Sequence, residues 1–244
     1  MRVVVPHGSI YEPLVSRAEK VCAEKKWTLE RLPEAECTKR MLANSADIAL
    51  LSPLGYGLGV GRVDYRIISD PCISLIDYTE VAGITFNEHA SEINTVGSRT
   101  PAAFMSIIGS LLMREKFEAN DTPIVFAENI DSVDCLITET DSVTAQHMAM
   151  DVGEEWFDLI ELPLPLGMWV CRADLEEESG EWRRENGEGK MEDVLMQSGS
   201  GERQGRISYS WSEDVEAGLE AALRMMFFYQ LLSELPAVKL LGRD

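Results

Sequence analysis

Residues 2–58 alternate strand-like and helix-like stretches with short turns between them, and this alternation restricts the fold more than any other feature of the chain. Arg2–Val5 is a short apolar run of the kind buried on both faces of a parallel sheet. Pro6-His7-Gly8-Ser9 is the turn that follows. Ser9 and Glu12 stand at capping-box spacing, with Pro13 just inside a predicted helix that runs to about Lys25. Trp27–Leu32 reads as a second strand, Cys37–Asn44 as a short helix and Asp47–Leu51 as a third strand. Ser52-Pro53 then leads into a short helix over Leu54–Leu58. The order β-α-β-α-β-α predicts a parallel α/β sheet.

Two extended apolar stretches, Arg66–Ile76 and Tyr78–Phe86, leave this first sheet. Beyond them come a predicted strand Ile93–Val96, a helix Ala102–Met113 and strands Pro123–Ala127 and Cys135–Thr138. Helices near Ser142–Met150 and Glu154–Leu159 follow. Pro163–Cys171 is extended and apolar enough to return through the core, where Trp169 is expected to be buried. Residues 173–193 turn polar and acidic, which predicts a solvated helix face and a loop. Residues 198–205 carry serine and glycine at the density of a linker. The last helix is capped by Ser212, and its apolar positions Val215, Leu219, Ala222 and Met226 recur at helical spacing. These crossings predict two α/β domains, 1–78 with 170–244 and 79–169, with a ligand cleft between them.

Ligands of such sheets bind beyond the carboxyl ends of the strands. The stretch Thr95-Val96-Gly97-Ser98-Arg99-Thr100-Pro101 is a strand running into a turn, with Thr100 predicted as helix N-cap and Pro101 in the first helical turn. A helix N-terminus there would favour an anion by ~0.3–1 kcal/mol. Ser9, Ser52, the Ser98–Thr100 junction and Thr140 all fall at predicted strand ends, so a small-molecule site is expected among them. His7 lies in the first such turn and is the one candidate general base.

Composition limits the partners. A net charge of −20 argues against nucleic acid or an anionic membrane surface. No apolar run approaches the ~20 residues of a membrane span. Five cysteines without close pairs predict free thiols, and with no secretion signal ahead of Arg2 a cytoplasmic protein is expected. The three histidines are far apart, no dinucleotide fingerprint or serine-hydrolase elbow is present, and no metal or cofactor is expected.

Several motifs resemble the chorismate dehydratases of the futalosine route to menaquinone. Asp47-Ile48-Ala49-Leu50-Leu51-Ser52-Pro53-Leu54-Gly55-Tyr56 is similar to that family's D-x-A-L segment with its downstream serine and tyrosine, and Ser98-Arg99-Thr100 to its S-R-T junction. Gly153-Glu154-Glu155-Trp156, Leu162-Pro163 and Met168-Trp169-Val170-Cys171-Arg172 continue the resemblance, as does Ile207-Ser208-Tyr209. It implies a two-domain type II periplasmic-binding-protein-like fold, and an enzyme that removes water from chorismate to give 3-(1-carboxyvinyloxy)benzoate. The implied ligand is a small anionic carboxylate, held by Ser98, Arg99 and Thr100, with hydroxyl contacts from Ser52 and Ser9 and ring packing from Tyr11 or Tyr56. The family usually places Y-L-N just after the first strand, whereas Pro6–Pro13 contains no asparagine. A non-catalytic carboxylate-binding protein on the same fold is the alternative.

Overall fold

A computed structural model describes residues 1–59, 61–117, 122–139, 148–187 and 191–243. The chain opens with β1 (Arg2–Pro6), α1 (Glu12–Lys25), β2 (Thr28–Leu32), α2 (Glu34–Leu42), β3 (Ile48–Leu51), α3 (Pro53–Gly57) and β4 (Tyr65–Asp77). It continues through β5 (Ala82–Phe86), β6 (Val96–Ser98), α4 (Phe104–Phe117), β7 (Ile124–Phe126), β8 (Cys135–Glu139), β9 (Met150–Asp151) and α5 (Val152–Ile160). It ends with β10 (Leu164–Arg172), α6 (Glu176–Gly187), β11 (Val194–Gln197), β12 (Gln204–Ser208) and α7 (Glu213–Phe228). These form two compact units. The first holds Met1–Ser74, Leu164–Asp193 and Ser208–Asp244, and the second holds Leu75–Pro163 and Val194–Ile207.

In the first unit the strands run in the order β4-β10-β3-β1-β2. β1 is parallel to both β2 and β3, as the alternation predicts. β10 is antiparallel to β3, with Met168 opposite Leu51, so the sheet is mixed. Every residue of β3 is buried, which explains its uninterrupted apolar run. α1 buries Leu14, Val15, Ala18, Val21 and Cys22, one face of a helix at 3.6-residue spacing. Each large side chain among them contributes ~1.5–3 kcal/mol through burial. Lys26, in the left-handed region at φ 57°, ends that helix. α7 and α6 pack on β10, and α6 also meets α1. Trp169 is fully buried and meets Trp182 of α6 edge to face, with centroids 4.9 Å apart.

Three boundaries differ from expectation. Ser9 is not the cap of α1: Ser9–Tyr11 is a single 3-10 turn, Tyr11 stands at the cap position, and Glu12 pairs with Arg31 of β2 at 2.6 Å. α2 starts at Glu34 rather than Cys37, because Pro33 at φ −56° already directs the chain into the helix. The polar stretch before residue 193 is less solvated than its composition implies, since α6 buries Ser179, Trp182 and Asn186.

In the second unit the sheet order is β7-β6-β8-β5-β9. β6 is parallel to β7 and β8, and β5 is antiparallel to β8 and β9. The expected linker around 198–205 is the turn of an antiparallel hairpin, β11–β12, and this segment belongs to the second unit, not the first. The unit boundaries fall after Ser74 and Pro163, earlier than the sequence-based division. The helix expected near Ser142–Met150 falls largely outside the described residues, and Met150 itself lies in β9. All five cysteines are buried free thiols. Among the described residues no helix is long and apolar enough to cross a membrane.

Candidate functional site

The parallel pair β1 and β3 brings two of the predicted strand ends to one edge of the first unit. His7 leaves β1 with its side chain exposed, while its backbone N–H donates to the Leu32 carbonyl at 3.0 Å. Gly8 follows at φ 124°, a conformation that favours glycine, and Ser9 is exposed in the 3-10 turn. Ser52 does what its place before Pro53 predicts: its oxygen accepts the Gly55 N–H at 3.3 Å and caps α3. Its proton goes to Glu34 Oε1 at 2.5 Å, and Glu34 is the first residue of α2.

The two tyrosines expected to pack against a substrate ring are in the core. Tyr11 is buried, and a Cβ added at Gly167 of β10 would lie 3.3 Å from its ring. Tyr56 is 1% exposed. Its hydroxyl donates to the Ala237 carbonyl at 2.7 Å and accepts the Lys239 N–H at 3.2 Å, and burial raises its pKa. Both rings thus belong to the packing of the first unit.

In the second unit the parallel strands β6, β7 and β8 end at Ser98, Phe126 and Glu139. Ser98 pairs with Ile137, so β8 runs two residues further and sets Glu139 beyond the Ser98 row. Ser98 is buried, shares a hydrogen bond with Ser106 of α4 at 2.7 Å and accepts the Thr100 N–H at 3.0 Å. Arg99 is exposed, and its guanidinium donates to the Glu128 carbonyl at 3.2 and 3.4 Å. The Thr100 hydroxyl donates to Glu139 Oε1 at 3.0 Å.

Two details of this junction correct the sequence reading. α4 begins at Phe104, so Thr100 and Pro101 stand before the helix and Thr100 is not its cap. The Thr100 carbonyl instead accepts the Ala103 N–H at 2.9 Å in a tight turn. Gly97 sits inside β6 rather than at a bend, and is there because a Cβ would fall 2.7 Å from Ala127 Cβ and 2.8 Å from Val133. Thr140 lies outside the described residues.

The chemistry offered differs from a simple anion cradle. A hydroxyl has one proton, and an ionised carboxylate only accepts. Ser52 and Thr100 therefore use their protons as donors to Glu34 and Glu139; Ser52 is buried with its oxygen on the Gly55 N–H, and the exposed Thr100 has only its oxygen lone pairs left to offer. Arg99 is the nominated residue that still brings full positive charge. Sequence reasoning missed Glu34 and Glu139, whose partners lie 18 and 39 residues away. It also missed Asp151, a buried N-cap of α5 whose spacing to Glu154 matches a helix-start signature.

No family model matches the chain, and no curated protein matches it in sequence. Its fold and the placement of polar strand ends define the class: a two-domain α/β protein of the type II periplasmic-binding-protein-like fold. Among solved structures, the protein AF1704 from Archaeoglobus fulgidus is similar at TM-score 0.61 and 14% identity, over 95% of this chain and 98% of that one. An ABC transporter structure from Parabacteroides distasonis is similar at TM-score 0.59 and 11% identity, over 100% and 99% of the two chains. The periplasmic aliphatic sulphonate binding protein SsuA from Escherichia coli is similar at TM-score 0.53 and 12% identity, over 75% and 68%. At such identities the likeness shows the fold alone.

Proposed function

We propose that this protein binds a small organic molecule at the strand carboxyl ends of its α/β units, and that its ligand carries a carboxylate held by the Ser98–Thr100 junction. The observation that supports this is the placement of Arg99, exposed immediately after β6, among parallel strands whose ends converge. SsuA, a sulphonate binder by name, has the same fold, and a sulphonate is a related organic anion. The five buried free thiols suit a reducing compartment, in keeping with a cytoplasmic location.

Within this class the family resemblance supports the dehydration of chorismate. A base takes the ring proton, the C–H electron pair becomes the new double bond, the neighbouring C–O bond breaks, and the departing oxygen takes up the proton that the base has accepted, so that it leaves as water. Aromatisation drives the step, so positioning and charge stabilisation carry the catalysis. In the second unit Arg99 would hold a substrate carboxylate; in the first unit, taken by itself, His7, exposed after β1, is the residue proposed as a base. Ser9 is proposed for a hydroxyl contact. A second reading, binding without turnover, is favoured by one specific observation: the Ser52 and Thr100 hydroxyls already donate to Glu34 and Glu139 rather than standing free for a substrate.

Calorimetric titration with chorismate, on the parent and on Arg99→Ala, tests the proposal. The expected result is a loss of at least tenfold in affinity on removing the guanidinium, since a charge-assisted hydrogen bond contributes ~1.5–3 kcal/mol. Equal affinity would dismiss the junction as the carboxylate site. Chromatography of the same mixtures for 3-(1-carboxyvinyloxy)benzoate separates the readings, because tight binding with no product leaves the binding protein and removes the enzyme.

A further inference from the structure

Helix α7 carries more apolar side chains than the first unit buries. Its core stripe is Val215, Leu219, Ala222, Leu223 and Met226, all buried at helical spacing. Phe227 and Phe228 close the helix and lie off that stripe, 40% and 82% exposed. Leu231 and Leu235, just beyond the helix, are 38% and 51% exposed. All four belong to the first unit. Together they leave on the order of 400 Å² of mainly apolar surface at one end of one helix, the size at which such surface on a soluble protein marks a contact site.

The shape at this end is a knob beside a hollow. The Gln230 N–H donates to the Phe227 carbonyl and the Leu231 N–H to the Met226 carbonyl, each at 2.9 Å, with Gln230 in the left-handed region at φ 59°. This paired bonding is a Schellman turn, and it folds the chain back across the end of the helix. Leu232 is buried against α3, where a Cβ at Gly57 would lie 2.7 Å from it. Between the helix end and the returning chain lies a hollow of about 480 Å³, lined by Phe227, Phe228, Gln230, Leu232 and Ser233. Phe228 is thus both a wall of the hollow and the most exposed side chain beside it. The rim carries both signs of charge. Arg224 is exposed one helical turn before Phe228, and Glu234 is exposed next to Ser233. Neither side chain makes a hydrogen bond or ion pair among the described residues.

We infer that this end of α7 is a self-association surface whose partner is a second copy of the chain, related to the first by a two-fold axis. A two-fold interface requires one patch to supply both halves of every contact. A knob beside a hollow meets that requirement, because each Phe228 enters the hollow of the other copy. The same pairing carries Arg224 of each copy toward Glu234 of the other, so the rim charges match instead of repelling. Exposed pairs of this kind add little strength but fix the register. A lipid surface suits the patch less well, because a chain of net charge −20 is repelled by anionic headgroups. That charge also opposes dimerisation at long range, and screening over ~8 Å at physiological salt confines the repulsion. With the rim counted, each copy would bury roughly 600 Å², the low end of specific interfaces, which sets the expectation of a weak dimer.

Sedimentation equilibrium of the full chain, from ~1 to ~500 μM at ~0.15 M salt, tests this. The mean mass should climb from 27.2 kDa toward twice that value and stop there. In Phe228→Lys the dissociation constant should rise ~100-fold, because a loss of about tenfold at each of two equivalent contacts multiplies. A cation suits the last turn of a helix, so this variant should melt with the parent. Should it fail to fold, Phe228→Ser removes the same knob without a charge and the same rise is expected. A parent that stays at the monomer mass throughout overturns the inference, and flotation of that monomer with phosphatidylcholine vesicles would assign the patch to lipid instead. Growth past the dimer mass, or association undiminished by loss of the Phe228 ring, overturns it equally.

Discussion

Tyr56→Phe separates a core residue from a substrate-contacting one. The hydroxyl is the sole difference, and it makes two hydrogen bonds to one short stretch, accepting from Lys239 and donating to Ala237. That stretch is itself paired with β4. The Ile67 N–H donates to the Lys239 carbonyl, and the Leu241 N–H to the Ile67 carbonyl, each at 2.8 Å. Removing the hydroxyl leaves a backbone donor and a backbone acceptor unpaired in a protected place, at ~1–3 kcal/mol per group that stays dry. Allowing one of the two to find water, the expected loss is about 1–3 kcal/mol, or ~2–10 °C in Tm for a chain of this size. Thermal melting and urea unfolding read the loss, and exchange of the 239–241 amides reads its location. Chorismate affinity should not move. A variant that melts like the parent but binds chorismate more weakly would refute the reasoning, because the hydroxyl would then be serving a ligand.

Two further pairs of variants follow from local geometry. Gly205→Ala should destabilise by ~1–3 kcal/mol or more, since the new methyl meets two backbone carbonyls at 2.3 and 2.5 Å that cannot rotate away. Gly180→Ala, in the middle of α6 with nothing within 4 Å of the new methyl, should stabilise by ~0.5–1 kcal/mol in the same melting assay. Ser212→Ala should cost ~0.5–2 kcal/mol, because its oxygen caps α7 through the Val215 N–H at 3.2 Å. Thr100→Ala should stay within ~0.5 kcal/mol, since this exposed residue caps no helix; a loss matching that of Ser212→Ala would restore it as a cap.

The sequence was legible where one element's own periodicity decides its fate. β1 and β3 are buried on both faces and read as apolar runs, and α7 carries both a capping serine and a helical stripe. Ser52-Pro53 names its own cap. Legibility failed where the partner is remote. β11 exposes Leu195 and buries no face of its own, so nothing in 194–207 announces a hairpin. What fixes it is contact with the crossing segment, more than a hundred residues earlier in the chain. The direction of β10 is equally silent, because an all-buried strand shows the same pattern parallel or antiparallel.

The candidate site residues were harder still, for a reason that concerns protons rather than positions. Serine, arginine and threonine at a strand end read as an anion site if every hydroxyl is free to donate. At both junctions one is not: Ser52 donates to Glu34, and Thr100 to Glu139. Each carboxylate comes from a different element, at a separation that no local motif encodes. In a chain of net charge −20, placing further acids beside these hydroxyls raises the demand on the remaining donors. An anionic ligand at the second junction must then rely on Arg99 and on backbone N–H groups. This reverses the ranking that a helix-cap reading gives, in which Thr100 matters most and an arginine between cap positions matters least. Arg99→Ala should therefore weaken chorismate binding more than Thr100→Ala does, and Thr100→Ala should leave affinity unchanged or improve it slightly, because it withdraws a contact that holds Glu139 near the turn. Titrations of the two variants side by side settle the order, and a larger loss from Thr100→Ala would mean that its proton turns from Glu139 to the ligand on binding.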